Sequence, residues 1–262
     1  MIKFRDYQKD IISKGLGIIK TNRFLYLAME VRTGKTLTSL GICDKMDVKN
    51  VLFITKKKAI PSIESDYELL CPNFNLTVIN YESLHKIKQT GWDVIICDEA
   101  HGMGAFPKPS GRAKKVGRII FRCNPYVILL SGTPTPEAYS QMYHQVYSIP
   151  NNPFNIYKNF YQFANNYVSV VKKKIGGMYI NDYSKGSKKI LDEMKPYTIS
   201  FSQKDAGFVV ETTENILEVD IEAGTKNIIS KLKKDLVVEG ENEVILADTA
   251  VKLMTKVHQL CS

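Results

Sequence analysis

Five short apolar runs recur through the first 150 residues: FLYLAM (24–29), VLFIT (51–55), LTVIN (76–80), DVIICDE (93–99) and YVILLSG (126–132). None alternates strictly, and each ends in polar or glycine punctuation. A strand with one wet face alternates apolar and polar side chains, whereas a strand covered on both faces stays apolar throughout. The runs therefore predict the strands of a mainly parallel sheet. Between them, KTLTSLGICDKM, AIPSIESDYELL and PEAYSQMYHQVY place apolar residues at about every third or fourth position, the spacing of helices that pack one face on such a sheet. An α/β domain, a parallel sheet flanked by helices, is expected over residues 1–150.

The pattern changes after the breaker formed by Ile149, Pro150 and Pro153. Aromatic residues crowd in (Phe154, Tyr157, Phe160, Tyr161, Phe163, Tyr167), and VSVVKKKIGGMYI predicts a β-hairpin around Gly176 and Gly177. Residues 151–207 are expected to form a helical and β-hairpin insertion packed on the first domain. Residues 208–222 look extended, and two helical patterns follow from about Thr225, the last with Leu246, Ala250, Leu253, Met254, Val257 and Leu260 on one face. Residues 208–262 thus read as a linker and the beginning of another domain. With 44% apolar residues in 262 the chain has material for a large core. No apolar run nears the roughly 20 residues that span a bilayer, and the charged start MIKFRDYQKD is unlike a signal peptide. Five scattered cysteines without C-x-x-C spacing fit neither a disulfide framework nor a zinc site, so a reducing, cytoplasmic setting is expected.

Gly34-Lys35-Thr36 follows one strand and precedes a helical pattern, the setting in which backbone amides hold phosphates. In that setting Lys35 neutralises phosphate oxygens and Thr36 ligates Mg²⁺. A G-K-[ST] tripeptide arises by chance in about one chain of this length in eight, so it decides little alone. Asp98-Glu99-Ala100-His101 arises in roughly one in 600 and sits at the carboxyl end of a strand, where open α/β sheets bind ligands. Asp98 is suited to hold Mg²⁺ and Glu99 to polarise the attacking water. The hydroxyls of Ser131 and Thr133, at the end of the next strand, can bond to that acidic motif. In a blander reading, Thr133 or Thr135 caps a helix opening near Pro136. His101 lacks ligand spacing with His85, His144 or His258, and fits coupling within the acidic motif better than metal binding. Trp92 and Cys97 read as core.

Taken in order, FRDYQ (4–8), RTGKT (32–36), VLFIT (51–55), VINYESL (78–84), DEAH (98–101) and SGTPTP (131–136) resemble the first RecA-like P-loop NTPase domain of superfamily 2 helicases and translocases. Within that superfamily the set is most similar to the Swi/Snf-type translocases of double-stranded DNA, with phage-type ATPases nearest. A phage-encoded protein would work in the host cytoplasm. The resemblance implies ATP and Mg²⁺ as ligands. It places Arg5, Gln8, Arg32, Thr33, Gly34, Lys35 and Thr36 on the nucleotide and Thr36 and Asp98 on the metal. Lys35, Asp98 and Glu99 carry the catalysis, and His101, Ser131 and Thr133 couple hydrolysis to motion. Arg32 stands where the family commonly has glycine, and Met29 where a longer glycine loop would begin. The motifs of a second RecA-like domain do not appear before Ser262, so such a domain is expected in a longer chain.

A net charge of +9 favours a polyanionic partner. Thr55, Lys56 and Lys57, with Asn80 and Tyr81, follow strand ends on one edge and are expected to meet a duplex backbone. Gly111 to Lys115 and Lys172 to Lys174 are further candidates. Two other functions fit the same motifs: a strand-separating helicase or restriction-system motor subunit, and a DNA- or protein-binding module switched by ATP without turnover.

Overall fold

The computed structural model describes residues 3–175, 178–208, 220–239, 244–247 and 250–261. In chain order the first five strands are β1 (Phe24–Met29), β2 (Asn50–Thr55), β3 (Asn75–Asn80), β4 (Val94–Cys97) and β5 (Tyr126–Leu130). They coincide with the five apolar runs. A hairpin of β6 (Val171–Ile175) and β7 (Met178–Asp182) comes next, then β8 (Thr198–Phe201). The main sheet has the order β3-β2-β4-β5-β1-β8, and every neighbouring pair is parallel. The sixth strand is not among those predicted. TISF is four residues long and only partly covered at the sheet edge, so it lacks the continuous apolar signature of the inner strands.

Helices cover both faces: α1 (Asp6–Asn22), α2 (Lys35–Lys45) and α3 (Ile60–Leu70) on one, and α4 (Gly111–Cys123), α5 (Met142–Val146) and α6 (Phe160–Tyr167) on the other. Successive side chains of a strand point to opposite faces. Leu25, Leu27 and Met29 therefore join one core with Ile12, Leu40 and Ile63, while Phe24 and Tyr26 join the other with Val116, Ile120 and Phe163. Both cores are dry, which is why the strands do not alternate in sequence. Trp92 and Cys97 are buried, as expected of core residues.

The helix expected from Pro136 begins later. The chain from Gly132 to Ala138 is irregular, a 3₁₀ turn follows at Tyr139–Gln141, and α5 opens at Met142. Side chains hold this stretch instead of helix bonds: Gln145 Nε2 donates to Pro134 O at 2.7 Å, and Glu137 N–H donates to Gln141 Oε1 at 3.2 Å. Neither Thr133 nor Thr135 caps a helix there.

The hairpin is present, with Val171 opposite Asp182 and Ile175 opposite Met178, while its expected turn at 176–177 lies outside the described residues. So does 209–219, most of the stretch expected to be extended. Short α7 (Lys189–Met194) precedes β8. Toward the end of the chain come α8 (Ala223–Asp235), the antiparallel pair β9 (Val237–Glu239) and β10 (Val244–Leu246), and α9 (Ala250–Cys261). Leu246, expected on the last helix, lies in β10, and Met254 is 73% exposed. Among the described residues no helix is long and apolar enough to cross a membrane.

Candidate active site

The carboxyl ends of β4, β5 and β1 lie side by side, which brings three separate sequence motifs to one edge. After β1 the chain turns through Glu30 to Gly34 and enters α2. Gly34 has φ +77°, the left-handed region that favours glycine, and a Cβ there would lie 2.5 Å from Gln8 Nε2. No side chain caps α2, so its first amides and positive dipole end are available to an anion. Met29 is still in the strand and fully buried, so the turn begins after it. Arg32 has φ +64°, a left-handed conformation that is strained for a residue with a side chain and favours glycine. Thr33, expected to touch nucleotide, is instead a wall of the loop. It is fully buried and its hydroxyl donates to Glu30 O at 2.7 Å.

Asp98, directly after β4, is buried, and the Thr55 hydroxyl donates to its Oδ2 at 2.8 Å. Its Oδ1 is buried without a hydrogen-bond partner. Burial raises the Asp98 carboxyl above its ordinary range, while the Thr55 hydroxyl and the Lys35 ammonium act in the opposite direction. A carboxylate held by one oxygen, with the other bare and a lysine within electrostatic reach, fits a cation-ligating role. Among the described residues no three acidic, histidine or cysteine side chains cluster for a metal.

Glu99 follows with φ +51° and leads into a 3₁₀ turn at Ala100–Met103. His101 Nδ1 lies 3.3 Å from Glu99 Oε2 and 3.0 Å from Ser131 Oγ, and Ser131 Oγ accepts the Thr133 N–H at 3.1 Å. Burial holds His101 below its usual value in spite of the neighbouring Glu99, so the imidazole is neutral at pH 7 and bonds without being an ion-pair cation. The structure thus brings His101, Ser131 and Thr133 into one hydrogen-bonded line beside Glu99. Gly132 lies close to Met29 O and the Glu30 backbone, so the same line abuts the loop between β1 and α2.

Beside the loop, Lys3, Phe4, Arg5, Tyr7, Gln8, Arg32, Gly34 and Leu37 enclose a cavity of about 170 Å³. Gln8 spans its floor: its Oε1 accepts the Arg5 N–H at 2.9 Å, and its Nε2 donates to Gly34 O at 3.4 Å. Tyr7 donates to Thr33 O at 3.1 Å and stacks on Phe201 at 4.7 Å. Sequence reasoning missed two supports. Gln203 N–H donates to Glu30 Oε2 at 2.8 Å and Gln203 Nε2 to Val31 O at 2.9 Å. Tyr26, from β1, donates to Gln145 Oε1 at 2.8 Å. Neither carries a local sequence signal, because the partners are more than 100 residues apart.

Two residues expected on DNA are not on the surface. Thr55 is fully buried and committed to Asp98, and Tyr81 is buried with its hydroxyl donating to Asp98 O at 2.7 Å. Both shape the acidic motif from behind. Lys56 and Lys57 are exposed, and Asn80 is half-buried. Of the further candidates, Arg112 bonds Glu82 at 2.7 Å and lies over the Tyr81 ring at 5.2 Å, while Lys115 donates to Glu82 O.

Residues 43–262 match the family described as the SNF2-related domain. Among solved structures, the Sulfolobus solfataricus SWI2/SNF2 ATPase core in complex with dsDNA aligns with a TM-score of 0.58 at 14% identity, covering 99% of this chain and 58% of that one. The Pyrococcus furiosus Hef helicase domain aligns at 0.41 with 19% identity, covering 56% of this chain and 36% of that one. A nuclease-deletion mutant of the Type ISP restriction-modification enzyme LlaGI, in complex with a DNA substrate mimic, aligns at 0.41 with 18% identity, covering 54% and 19%. This chain spans little more than half the length of the Sulfolobus core. Curated proteins give no match.

Proposed function

The chain belongs to the SNF2-related domain family, and from that premise we propose that it contains the nucleotide-binding first motor domain of an ATP-driven translocase on double-stranded DNA. The observation that carries this reading is Asp98, fixed through one oxygen by Thr55 while the other stays bare in the electrostatic field of Lys35.

In this reading the α2 amides and Lys35 receive the triphosphate tail, and the cavity above Gln8 takes the base. Thr36 and Asp98 would hold Mg²⁺, which supplies charge neutralisation on the phosphate oxygens. Glu99 orients the attacking water and accepts its proton, a task Asp98 cannot share while it is fixed by Thr55. The neutral His101 is held between Glu99 and Ser131, so a change at the γ-phosphate position reaches Thr133 through that line. Residues 1–150 together with β8 form the first RecA-like unit, since β8 pairs with β1 at the sheet edge; the rest of 151–207 packs on it, and 208–262 lead into a second. An arginine offered by that second domain would add about 10³ to 10⁵ in rate. Exposed Lys56 and Lys57, with Asn80, meet the duplex backbone and position it without reading sequence.

The test is steady-state Mg-ATP hydrolysis without DNA, with single-stranded DNA and with duplex DNA, using Lys35→Ala as the blank. Duplex is expected to stimulate more than single strands. Stimulation by single strands alone would shift the reading to a strand-separating helicase, and ATP binding that survives Lys35→Ala undiminished would sink the assigned site.

A further inference from the structure

Among the described residues the β6–β7 hairpin forms its own two-stranded sheet, hydrogen-bonded to no strand of the main one. Such a ribbon is marginal by itself. Here its root is fixed to the body. Tyr183 is buried edge-on to Phe160 at 5.3 Å, Ser140 donates to Tyr183 O, and Ser169 N–H donates to Lys185 O at 3.0 Å. The far end is bare, with Met178 72% and Tyr179 70% exposed.

The register sorts three consecutive lysines onto two faces. Lys172 lies opposite Asn181 and Lys174 opposite Tyr179, and cross-strand partners share a face. Lys173 lies opposite Ile180 on the other face, where it is neutralised by Asp182 at 2.7 Å. One face therefore presents two exposed lysines with no carboxylate among them, together with an aromatic ring and an amide. Uncompensated cations beside an exposed aromatic ring match a phosphate backbone and its adjoining groove. A two-stranded ribbon also has the width that a duplex major groove, about 12 Å across, admits.

We propose that the face formed by Lys172, Lys174, Tyr179 and Asn181 is a second duplex-DNA contact, in which the two lysines meet phosphates and Tyr179 packs into the groove between them. This rests on the reading of the chain as a DNA motor, and it adds a contact separate from the lysines that follow β2.

The experiment measures duplex affinity of the full chain by fluorescence anisotropy across a salt series. The proteins compared are wild type, Lys172→Ala/Lys174→Ala, Lys173→Ala and Tyr179→Ala, with ATP binding as the check that each is folded. Two lost phosphate contacts should flatten the slope of log affinity against log salt by about 1.8 in the double variant. Lys173→Ala should leave the slope unchanged. Tyr179→Ala should weaken binding several-fold at an unchanged slope, since it removes a groove contact and no charge. A double variant with the wild-type slope overturns the hairpin contact while the DNA reading stands. A Lys173→Ala variant that flattens the slope overturns the assignment of faces. A wild-type chain that binds no duplex overturns both readings.

Discussion

Burial raises the Asp98 carboxyl, and the Thr55 hydroxyl and Lys35 ammonium offset that shift while Glu99 adds to it. A group whose folded value lies above its unfolded one favours the fold at low pH, and that contribution is lost as pH rises through the folded value. Ionised Asp98 thus costs the ligand-free protein stability at neutral pH. Asp98→Asn should keep the Thr55 bond through its carbonyl oxygen and raise stability by about 1 kcal/mol at pH 7. The gain over wild type should shrink toward pH 4, while Mg-dependent hydrolysis is lost. Thermal unfolding between pH 4 and 8 checks this, and a destabilised variant would contradict it. Lys35 and Thr36 open α2, and Asp98 and Glu99 follow β4, positions that were legible because each stands next to a strand or helix end that the sequence itself predicts. Thr33, Thr55 and Tyr81 were misplaced for one reason: a hydroxyl near a ligand and a hydroxyl behind a ligand residue have the same sequence context, and burial separates them.

At the scale of elements, α4 ties the acidic motif to the rest of the edge. Ser110 opens it, with Oγ accepting the Ala113 N–H at 3.1 Å and donating to Met103 O at 2.9 Å, so a single hydroxyl caps the helix and holds the turn after Glu99. Ser110→Ala should cost about 1 kcal/mol in urea unfolding, and Ser110→Thr, which keeps both the acceptor and the donor, should recover most of it. Equal stability of all three proteins would remove the cap from the account. The three helices predicted from apolar spacing left out α1 and α4. In α4 the three cations within Gly111 to Lys115 drew attention to DNA binding, yet Ala113, Val116, Ile119 and Ile120 form a buried stripe at helical spacing. The inner strands were legible because both their faces are dry, and β8 was not because the sheet edge leaves TISF half wet.

Across the whole molecule, the segment after Pro153 is fastened to the sheet domain through close approaches. A Cβ on Gly186 would lie 2.7 Å from Ser140 N, where the root of the hairpin meets the turn before α5. Gly186→Ala should therefore destabilise by about 1–3 kcal/mol through backbone overpacking, read as a lowered midpoint in thermal unfolding, and a neutral result would mean that the contact yields freely. The same joining of distant pieces runs through Tyr26, Gln145 and Pro134, and through Gln203, Glu30 and Val31. By itself the sequence determined the parallel sheet, the glycine-led entry into α2 and the place of the paired acids after β4, because strand burial and strand-end punctuation are written in neighbouring residues. Only the tertiary structure decided that β8 completes the sheet, that Gln203 braces the loop, that Thr55 and Tyr81 face inward, and that one lysine of three on the hairpin is neutralised. Those outcomes depend on which chain segments meet in space: apart from Lys173 and Asp182, which face each other across the hairpin, the contacting residues are separated by 17 to 173 positions, beyond the reach of local pattern.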